Sequence, residues 1–470
     1  MKKTIRIYTV ILVLLLVFHS CKTNNKTIPQ YSEKQNIILI NIDDLGWRDL
    51  GFMGSDYFET PNIDALSKKG IVFTNGYAAS ANCAPSRASL MTGEWVQRHG
   101  IYTVGTSERG KSKDRKLVPT QNTETLSDEF FLLPQLLQKN GYTTIHAGKW
   151  HLTEDPLNSG FVINIGGSHA GHPKSYYPPY RNVDLLGEPG KRLTDLVMDK
   201  TLDYIKNTKG PFFLNYAPYA VHTPIQPVPE LVEKYKNKSS SLGQDNADYA
   251  TMIENLDSNL GRLVATLEET GKLKNTFIVF TSDNGGLFSV SKQHPLRSGK
   301  GSYYEGGIRV PFFFVWNNVI SAMQRSDEPI SNLDLYPTIL EVAKVKAPKS
   351  KNLDGKNLVP LLTGEQQTFN RPLYWHFPVY LEAVALENEN RDPKFRTRPG
   401  SVIRFGKWKL HHYFEDDAIE LYNLEEDLGE KNNVAETHGA ITKELLQLLI
   451  NWRENTMAPV PSALNPDYKE

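Results

Sequence analysis

The sequence predicts an α/β protein in which helices cover both faces of a central sheet. Four segments have the composition of strands, and the first of them, at 36–42, is an almost unbroken apolar run. Runs of this kind are typical of strands that are buried on both faces. Helical patterns lie between the strands, and this alternation is typical of α/β folds. The other strands are predicted at 142–147, 211–216 and 276–282.

Apolar spacing and capping residues predict the helices. One helix opens at Pro61, because proline is tolerated in the first helical turn. A second helix covers 133–140 and is ended by Gly141. A long amphipathic helix covers 249–270, and its apolar stripe is expected to face the core. That stripe consists of Ile253, Leu256, Leu260, Val264 and Leu267.

The chain changes character near residue 371. Beyond it, short segments alternate apolar and polar residues, as the strands of an antiparallel sheet do. We therefore predict a larger domain at 36–370 and a smaller C-terminal subdomain at 371–470 that contains an antiparallel sheet and one helix. The strands of this subdomain are predicted at 402–405, 407–410 and 420–424, and its helix at 441–453.

The N-terminus is typical of an export signal. Basic residues precede an apolar run at 7–18 that is too short to span a bilayer comfortably. The tripeptide that ends in Cys21 resembles a bacterial lipobox. We therefore predict a signal peptide of the lipoprotein type at 1–20, a lipid on Cys21 and a polar tether at 21–35. A conventional signal that is cleaved nearby and a retained anchor are the alternatives.

An exported lipoprotein is expected in the periplasm, on the outer membrane or at the cell surface, where only its lipid touches a membrane. The chain has 53 Lys and Arg against 53 Asp and Glu, so the charge does not indicate a nucleic-acid partner. An anionic substrate would need a local basic pocket. If Cys21 carries a lipid, Cys83 has no disulfide partner, which is unusual in an exported protein.

Cys83 is predicted to stand at the start of a helix. Pro85 suits the first turn, and Gly93 can end the helix. Backbone N–H groups and the positive end of the helix dipole favour an anion there. Arg87, one turn further on, can donate two hydrogen bonds to an oxyanion. A lone cysteine is more often a small buried apolar residue, but the polar neighbours of Cys83 count against that interpretation.

Acidic and amide side chains follow two of the predicted strands. Asp43 and Asp44 come directly after the first strand, and Asp283 and Asn284 directly after the fourth. Open α/β sheets place their sites at the carboxyl ends of strands. Three carboxylates and an amide are hard oxygen ligands, which suit Ca²⁺ first and Mg²⁺ second. The alternative for the two adjacent aspartates is a solvated turn.

Basic and histidine side chains follow the other strands. Lys149 and His151 come after the second strand and His222 after the third, while Lys300 lies in a Gly-rich stretch. Alone, such residues are more often surface charges or structural histidines. A loop at 160–180 is rich in Gly, His, Pro and Tyr and is expected to shape a substrate pocket. Candidates for substrate contacts are His169, His172, Arg181, His294 and Arg297.

Several motifs resemble those of the type I, formylglycine-dependent sulfatases. Residues 83–93 match the signature Cys-x-Pro-Ser-Arg-x-x-Leu-x-Thr-Gly completely. Residues 148–151 and the stretches around His222 and Lys300 are similar as well, and the resemblance covers nearly all of the chain beyond the tether. It implies an alkaline-phosphatase-like mixed sheet sandwiched by helices, with a smaller C-terminal antiparallel-sheet subdomain. Val221 and Ser298 depart from the usual family residues.

The resemblance implies that a formylglycine-generating or anaerobic sulfatase-maturating enzyme oxidises Cys83 to formylglycine (3-oxoalanine). The hydrated aldehyde would attack sulfur and then expel sulfate. The implied ligands of one Ca²⁺ ion are Asp43, Asp44, Asp283, Asn284 and the modified residue 83. The implied catalytic residues are Arg87 and Lys149, which orient residue 83 and the sulfate, His151, which assists the hydrate, and His222 and Lys300, which serve the leaving oxygen and the sulfate.

The function that the resemblance implies is hydrolysis of sulfate esters on a carbohydrate. We expect exo-acting desulfation of oligosaccharides during the degradation of a sulfated polysaccharide, either algal, such as ulvan or carrageenan, or a glycosaminoglycan. Two other functions stay open at this point. One is a phosphonate or phosphate monoester hydrolase of the same superfamily, and the other is an inactive carbohydrate-binding lipoprotein. Comparing turnover of sulfate and phosphate esters distinguishes a sulfatase from the first alternative. Measuring whether the protein turns over any substrate distinguishes it from the second.

Overall fold

A large mixed sheet forms the centre of the computed structural model, which describes residues 34–383 and 389–469. The strand order is β5-β4-β6-β1-β7-β8-β2-β9. Neighbours from β5 to β7 run parallel, whereas β8 is antiparallel to both β7 and β2. The strands are β1 Asn36–Ile42, β2 Ile71–Phe73, β3 Gly76–Tyr77, β4 Thr143–Gly148, β5 Ile163–Ile165, β6 Phe212–Ala217, β7 Thr276–Ser282, β8 Phe312–Trp316 and β9 Gln324–Ser326.

Helices flank this sheet. Every residue of β1 is buried, as its almost unbroken apolar sequence predicts. The long helix α7 packs on α5 and α1, and α2 contacts α3, α4 and α9. The helices are α1 Pro61–Ser67, α2 Cys83–Thr92, α3 Val96–His99, α4 Leu133–Lys139, α5 Leu193–Asn207, α6 Val232–Lys236, α7 Ala247–Glu269, α8 Glu305–Ile308, α9 Leu335–Ala343, α10 Val359–Leu362 and α11 Gly439–Asn455.

An antiparallel sheet with the order β11-β14-β15-β16 forms the C-terminal part. Helix α11 packs on β14 and β15, and Ile403, Leu410 and Leu449 belong to the apolar cluster between them. The described residues belong to one compact unit, so the boundary at 370 stays a prediction. The remaining strands are β10 Ile330–Ser331, β11 Leu373–Phe377, β12 Leu381–Glu382, β13 Phe395–Thr397, β14 Gly400–Phe405, β15 Trp408–Tyr413 and β16 Ile419–Asn423.

The predicted fold class is confirmed. The strands at 36–42 and 276–282 have the predicted bounds, and the other two are shifted by one residue. The predicted loop at 160–180 differs, because 163–165 forms a short strand parallel to β4. Its three residues are too few for a periodic pattern. The predicted signal peptide, the lipid site Cys21 and most of the tether lie outside the described residues. Within those residues, no helix is both long and apolar enough to cross a bilayer.

Buried charges join the C-terminal sheet to helix α8. Lys409 in β15 is fully buried, and its ammonium nitrogen lies 2.9 Å from Glu305 and 3.0 Å from Glu430. Glu305 begins α8, and its other carboxylate oxygen accepts hydrogen bonds from Tyr77 at 2.7 Å and Arg309 at 3.0 Å. Because α8 follows the loop that carries Lys300, these contacts hold that loop against the C-terminal sheet.

Lys409→Met is expected to destabilise the protein strongly. It leaves Glu305 and Glu430 buried with less compensating charge, and breaking a buried pair from one side costs about 3–5 kcal/mol. We expect a clear fall in the midpoint of urea or thermal unfolding. Lys443→Met, at an exposed position of α11, is the matched control and should change the midpoint little. Equal midpoints for the two variants would contradict a stabilising role for the buried contact.

Candidate active site

The ends of four parallel strands bring the predicted site residues together. Asp43 and Asp44 follow β1, while Lys149 and His151 follow β4. The pairing of β1 with β7 extends past the strands, because the N–H of Asp283 donates to the carbonyl oxygen of Ile42 at 3.1 Å. Each of these groups therefore leaves the sheet at the same edge, which is the usual location of sites in open α/β sheets. His222 follows β6, and Asn284 and Cys83 approach the same edge from β7 and α2.

Asp43 is neutralised by two cations. The Lys149 ammonium donates to both of its carboxylate oxygens, at 2.8 and 2.9 Å, and Arg87 Nη2 lies 3.6 Å from Oδ1. Arg87 also donates from Nε to Asp283 at 2.7 Å and from Nη1 to the carbonyl oxygen of Lys149 at 3.0 Å. These side chains are buried. Burial raises the pKa of Asp43, and Lys149 opposes that effect.

Asp44 has a separate set of partners. Lys300 donates from Nζ to Oδ2 at 2.8 Å, and Asn284 donates from Nδ2 to Oδ1 at 2.8 Å. His222 Nε2 lies 3.6 Å from Oδ2. Burial alone would raise the pKa of Asp44, but the nearby positive charge, chiefly that of Lys300, outweighs it, and the net pKa is lowered. Asp44 is therefore an ionised, buried carboxylate.

Cys83 is the first residue of α2, and it is buried. Its sulfur lies 3.6 Å from Asp43 Oδ1 and 3.7 Å from Asp44 Oδ1. Burial raises the pKa of the thiol to about 12, so the residue is a neutral thiol and not a thiolate at neutral pH. Unmodified, it therefore lacks the activated form of a cysteine nucleophile.

Four histidines surround the entrance to this cluster. Burial, and after it the charge of Lys300, lower the pKa of His222 to about 4. Burial also lowers the pKa of His151 well below its usual value. Both imidazoles are therefore neutral near pH 7 and able to accept a proton. His172 stacks on His222 at 5.7 Å between ring centroids, and His169 meets His151 edge-on at 6.0 Å.

The residues fit a hard divalent cation. One ligand atom each from Asp43, Asp44, Cys83 and His222 lies within 4.8 Å of the others. Asn284 Oδ1 is a buried amide oxygen that has no hydrogen-bond partner among the residues that the structure describes. Carboxylate and amide oxygens are the donors that Ca²⁺ and Mg²⁺ prefer. Asp283 was also a predicted ligand, but its oxygens here accept hydrogen bonds from Arg87 and from the N–H of Asp44.

A cavity of about 480 Å³ opens onto these residues. Cys83, Lys149, His151, His222 and Lys300 are in its wall. The predicted contact residues His169 and His172 line it as well. Its size is that of a small-ligand site, and it reaches the cluster from the outside. Other lining side chains, which the sequence patterns do not indicate, are Asn82, Thr103, Arg109, Glu124 and Arg396.

Three predicted contact residues do not line this cavity. Arg181 and His294 are exposed elsewhere. Arg297 packs its guanidinium 3.8 Å from the centroid of the Tyr304 ring and donates to Tyr422 and to the carbonyl oxygen of Glu430. Through these contacts, Arg297 attaches the loop before Lys300 to the C-terminal sheet. The prediction that these three side chains contact the substrate is therefore not supported by their positions outside the cavity wall.

Comparisons with known proteins agree with the geometry. A family model described as Sulfatase matches residues 35–345, and one described as N-sulphoglucosamine sulphohydrolase, C-terminal, matches 299–455. A sulfatase of Formosa agariphila is 32% identical over 87% of this chain and 86% of its own. The N-acetylgalactosamine-6-sulfatase of Rattus norvegicus is 33% identical over 75% of this chain and 70% of its own.

A solved structure is similar over nearly the whole chain. The crystal structure of Ps i-CgsB in complex with k-i-k-neocarrahexaose has a TM-score of 0.73 and 30% identity, and the match covers 93% of this chain and 94% of that chain. The family match extends over more than half of the present chain and includes every strand end that carries a site residue. The protein therefore belongs to the sulfatase family and is a sulfuric ester hydrolase.

Proposed function

We propose that the protein hydrolyses sulfate esters on an oligosaccharide, with residue 83 as the nucleophile after conversion to formylglycine. The observation that carries this proposal is the position of Cys83. It stands at the start of α2, in contact with two buried carboxylates and in the wall of the cavity. A neutral buried thiol at this position is a poor nucleophile. The hydrated formylglycine at the same position would be a better nucleophile, and it would face any ester that enters the cavity.

The proposed cofactor is one Ca²⁺ ion, with Mg²⁺ as the second choice. Asp43, Asp44, Asp283, Asn284 and residue 83 would hold it, and the unpartnered oxygen of Asn284 supports this ligand set. When bound, such a cation withdraws charge from sulfate oxygens and favours the ionised form of a nearby hydroxyl. Formylglycine supplies a nucleophile that can be regenerated after sulfate leaves.

The remaining residues divide between holding the sulfate and moving protons. Arg87 and Lys149 supply donors beside residue 83, and Lys300 supplies an ammonium on the opposite carboxylate, Asp44. We propose that these cations orient residue 83 and stabilise negative charge on the sulfate. His151 and His222 are neutral imidazoles at the cavity wall. His151 would accept a proton from the hydrated formylglycine, and His222 would interact with the leaving oxygen of the sulfate ester.

The proposed substrate is the end of a sulfated oligosaccharide. A cavity of about 480 Å³ has the size of a small-ligand site and suits a chain terminus better than the middle of a long polymer, which supports exo action. The similar crystal structure holds k-i-k-neocarrahexaose, and similar curated proteins are N-acetylgalactosamine-6-sulfatases. We therefore propose a carrageenan-type oligosaccharide or a galactosamine-containing glycosaminoglycan fragment. The proposed setting, an exported lipoprotein that degrades polysaccharide, is supported by residues 1–21 of the sequence alone.

Cys83→Ser is expected to abolish sulfate release in a host whose maturation enzyme accepts only cysteine. Losing the catalytic nucleophile typically lowers kcat by on the order of 10³-fold or more. The measurement is sulfate released from carrageenan and chondroitin oligosaccharides, with a phosphate ester in parallel. Cys21→Ser is the matched control, because it removes the other cysteine and should leave turnover by the purified protein unchanged. Turnover retained by the Cys83→Ser variant would exclude the modified nucleophile, and preference for the phosphate ester would favour the phosphohydrolase alternative.

Removal of divalent cations is expected to stop sulfate release. Asp43 and Asp44 each offer a ligand atom to one cluster and Asn284 contacts Asp44, so a tight chelator should inactivate the matured protein, and added Ca²⁺ should restore most of the rate, with Mg²⁺ less effective. Asn284→Leu, which removes the buried amide oxygen, should raise the Ca²⁺ concentration needed for half-maximal rate. Full activity after dialysis against the chelator would rule out the proposed metal.

Gly171→Ala is expected to lower kcat without changing a charged residue. A Cβ at this position would lie 2.7 Å from Cε1 and 2.8 Å from Nε2 of His151. Displacing a catalytic group by about 1 Å can cost on the order of 10- to 100-fold in rate. Gly439→Ala, where a Cβ meets nothing within 4 Å, is the control and should keep the wild-type kcat. A wild-type kcat in the Gly171→Ala variant would argue against a role for the His151 ring.

A further inference from the structure

A guanidinium from the C-terminal part of the chain lies in the cavity wall. Arg396 is in β13, and its Nε donates to the carbonyl oxygen of Glu382 at 3.0 Å. Its Nη1 donates to the carbonyl oxygen of Lys300 at 3.3 Å. The backbone of Gly301 passes beneath it, since a Cβ there would lie 3.2 Å from Nε. Arg396 is therefore fixed against the loop that carries Lys300.

The charge of Arg396 has no close counterion among the described residues. The hydrogen bonds found for its guanidinium go to uncharged carbonyl oxygens. Within residues 34–383 and 389–469, no carboxylate oxygen lies within 4.0 Å of its nitrogens. Burial lowers the pKa of Arg396, and the charge of Glu382 only partly opposes this. A lowered pKa is expected for a desolvated cation that has no directly paired anion.

The two acidic side chains nearby, Glu382 and Glu124, do not act as a counterion for Arg396. Glu382 is held by Arg109, whose Nε and Nη2 donate to the carboxylate at 2.9 and 2.6 Å. This two-point contact uses the strongest geometry that an arginine and a carboxylate can form. Glu124 also lines the cavity, but it is exposed and therefore well solvated. In this part of the wall, Arg109 is already paired with a carboxylate, whereas Arg396 is not. Arg396 is therefore the basic side chain that is available to bind an anionic ligand.

We propose that Arg396 binds a second anionic group of the substrate, a sulfate or a carboxylate close to the sulfate ester that is cleaved. The inference rests on the proposed function and narrows it to substrates with two neighbouring anionic groups. Guanidinium forks match the oxygen spacing of both groups. Arg109 acts as a positioning residue, because it keeps the Glu382 carboxylate away from Arg396. Two separated anions would also fix the orientation of the sugar relative to residue 83.

The test compares pairs of substrates that differ in one anionic group. One pair is a monosulfated and a disulfated galactose-type disaccharide, and the other is a sulfated disaccharide with a uronic acid and its methyl ester. The measurement is kcat/KM for sulfate release by the matured full-length protein. The ratio within a pair does not depend on the fraction of active protein, so partial misfolding of a variant leaves it interpretable. The variants are Arg396→Gln and Arg396→Lys, and the control is Arg325→Gln, at an exposed position of β9.

The wild-type protein is expected to favour the doubly anionic member of one pair by roughly 10- to 100-fold, which corresponds to charge-assisted hydrogen bonds. The pair that shows this preference identifies the group as sulfate or carboxylate. Arg396→Gln should bring the ratio close to one, Arg396→Lys should keep part of it, and Arg325→Gln should keep all of it. Equal ratios in the wild-type protein and the Arg396→Gln variant would overturn the inference alone. No sulfate release from any substrate would overturn the proposed function itself.

Discussion

The balance of charge around Asp43 and Asp44 determines the structure of the site. Both carboxylates are buried at the end of a strand that is itself fully buried. Removing a carboxylate from water without a partner is very costly, so cations must accompany it. Lys149 and Lys300 supply them from separate segments, at distances of 2.8 Å. The contacts with Asp43 and Asp44 therefore hold the segments that carry Lys149 and Lys300 at this edge of the sheet. The same charged groups would meet a substrate and a cation.

The C-terminal sheet contributes to this balance from outside the main sheet. Lys409 binds Glu305 at the start of α8, and Arg297 reaches Tyr422 and Glu430, so both sides of the Lys300 loop are attached to C-terminal elements. Arg396 adds a hydrogen bond to the carbonyl oxygen of Lys300 itself. The smaller part of the chain thus both positions a residue of the charge cluster and forms part of the cavity wall. This gives a physical reason why the two parts form one compact unit.

The sequence predicts the central strands and the residues at their ends well, for a physical reason. Strands buried on both faces are mostly apolar, so the charged residues that follow, such as Asp43 and Asp283, stand out against them. Arg109 and Arg396 escape this reasoning because neither belongs to a motif or directly follows a buried strand, and Arg396 reaches the cavity from β13, far from Cys83 in sequence. Arg297 is one of the candidate substrate contacts, but contacts that form only in the folded chain direct it to Tyr304 and Tyr422.

The most direct test of this account is the mass of the peptide that contains residue 83, taken from protein made in a host with a maturation enzyme, together with sulfate release by the same sample. We expect the peptide to be lighter than the cysteine form by about 18 Da, the difference between a thiol and an aldehyde side chain, in protein that releases sulfate. An unmodified cysteine in protein that still hydrolyses sulfate esters would contradict the account, because the buried thiol would then be part of the working enzyme.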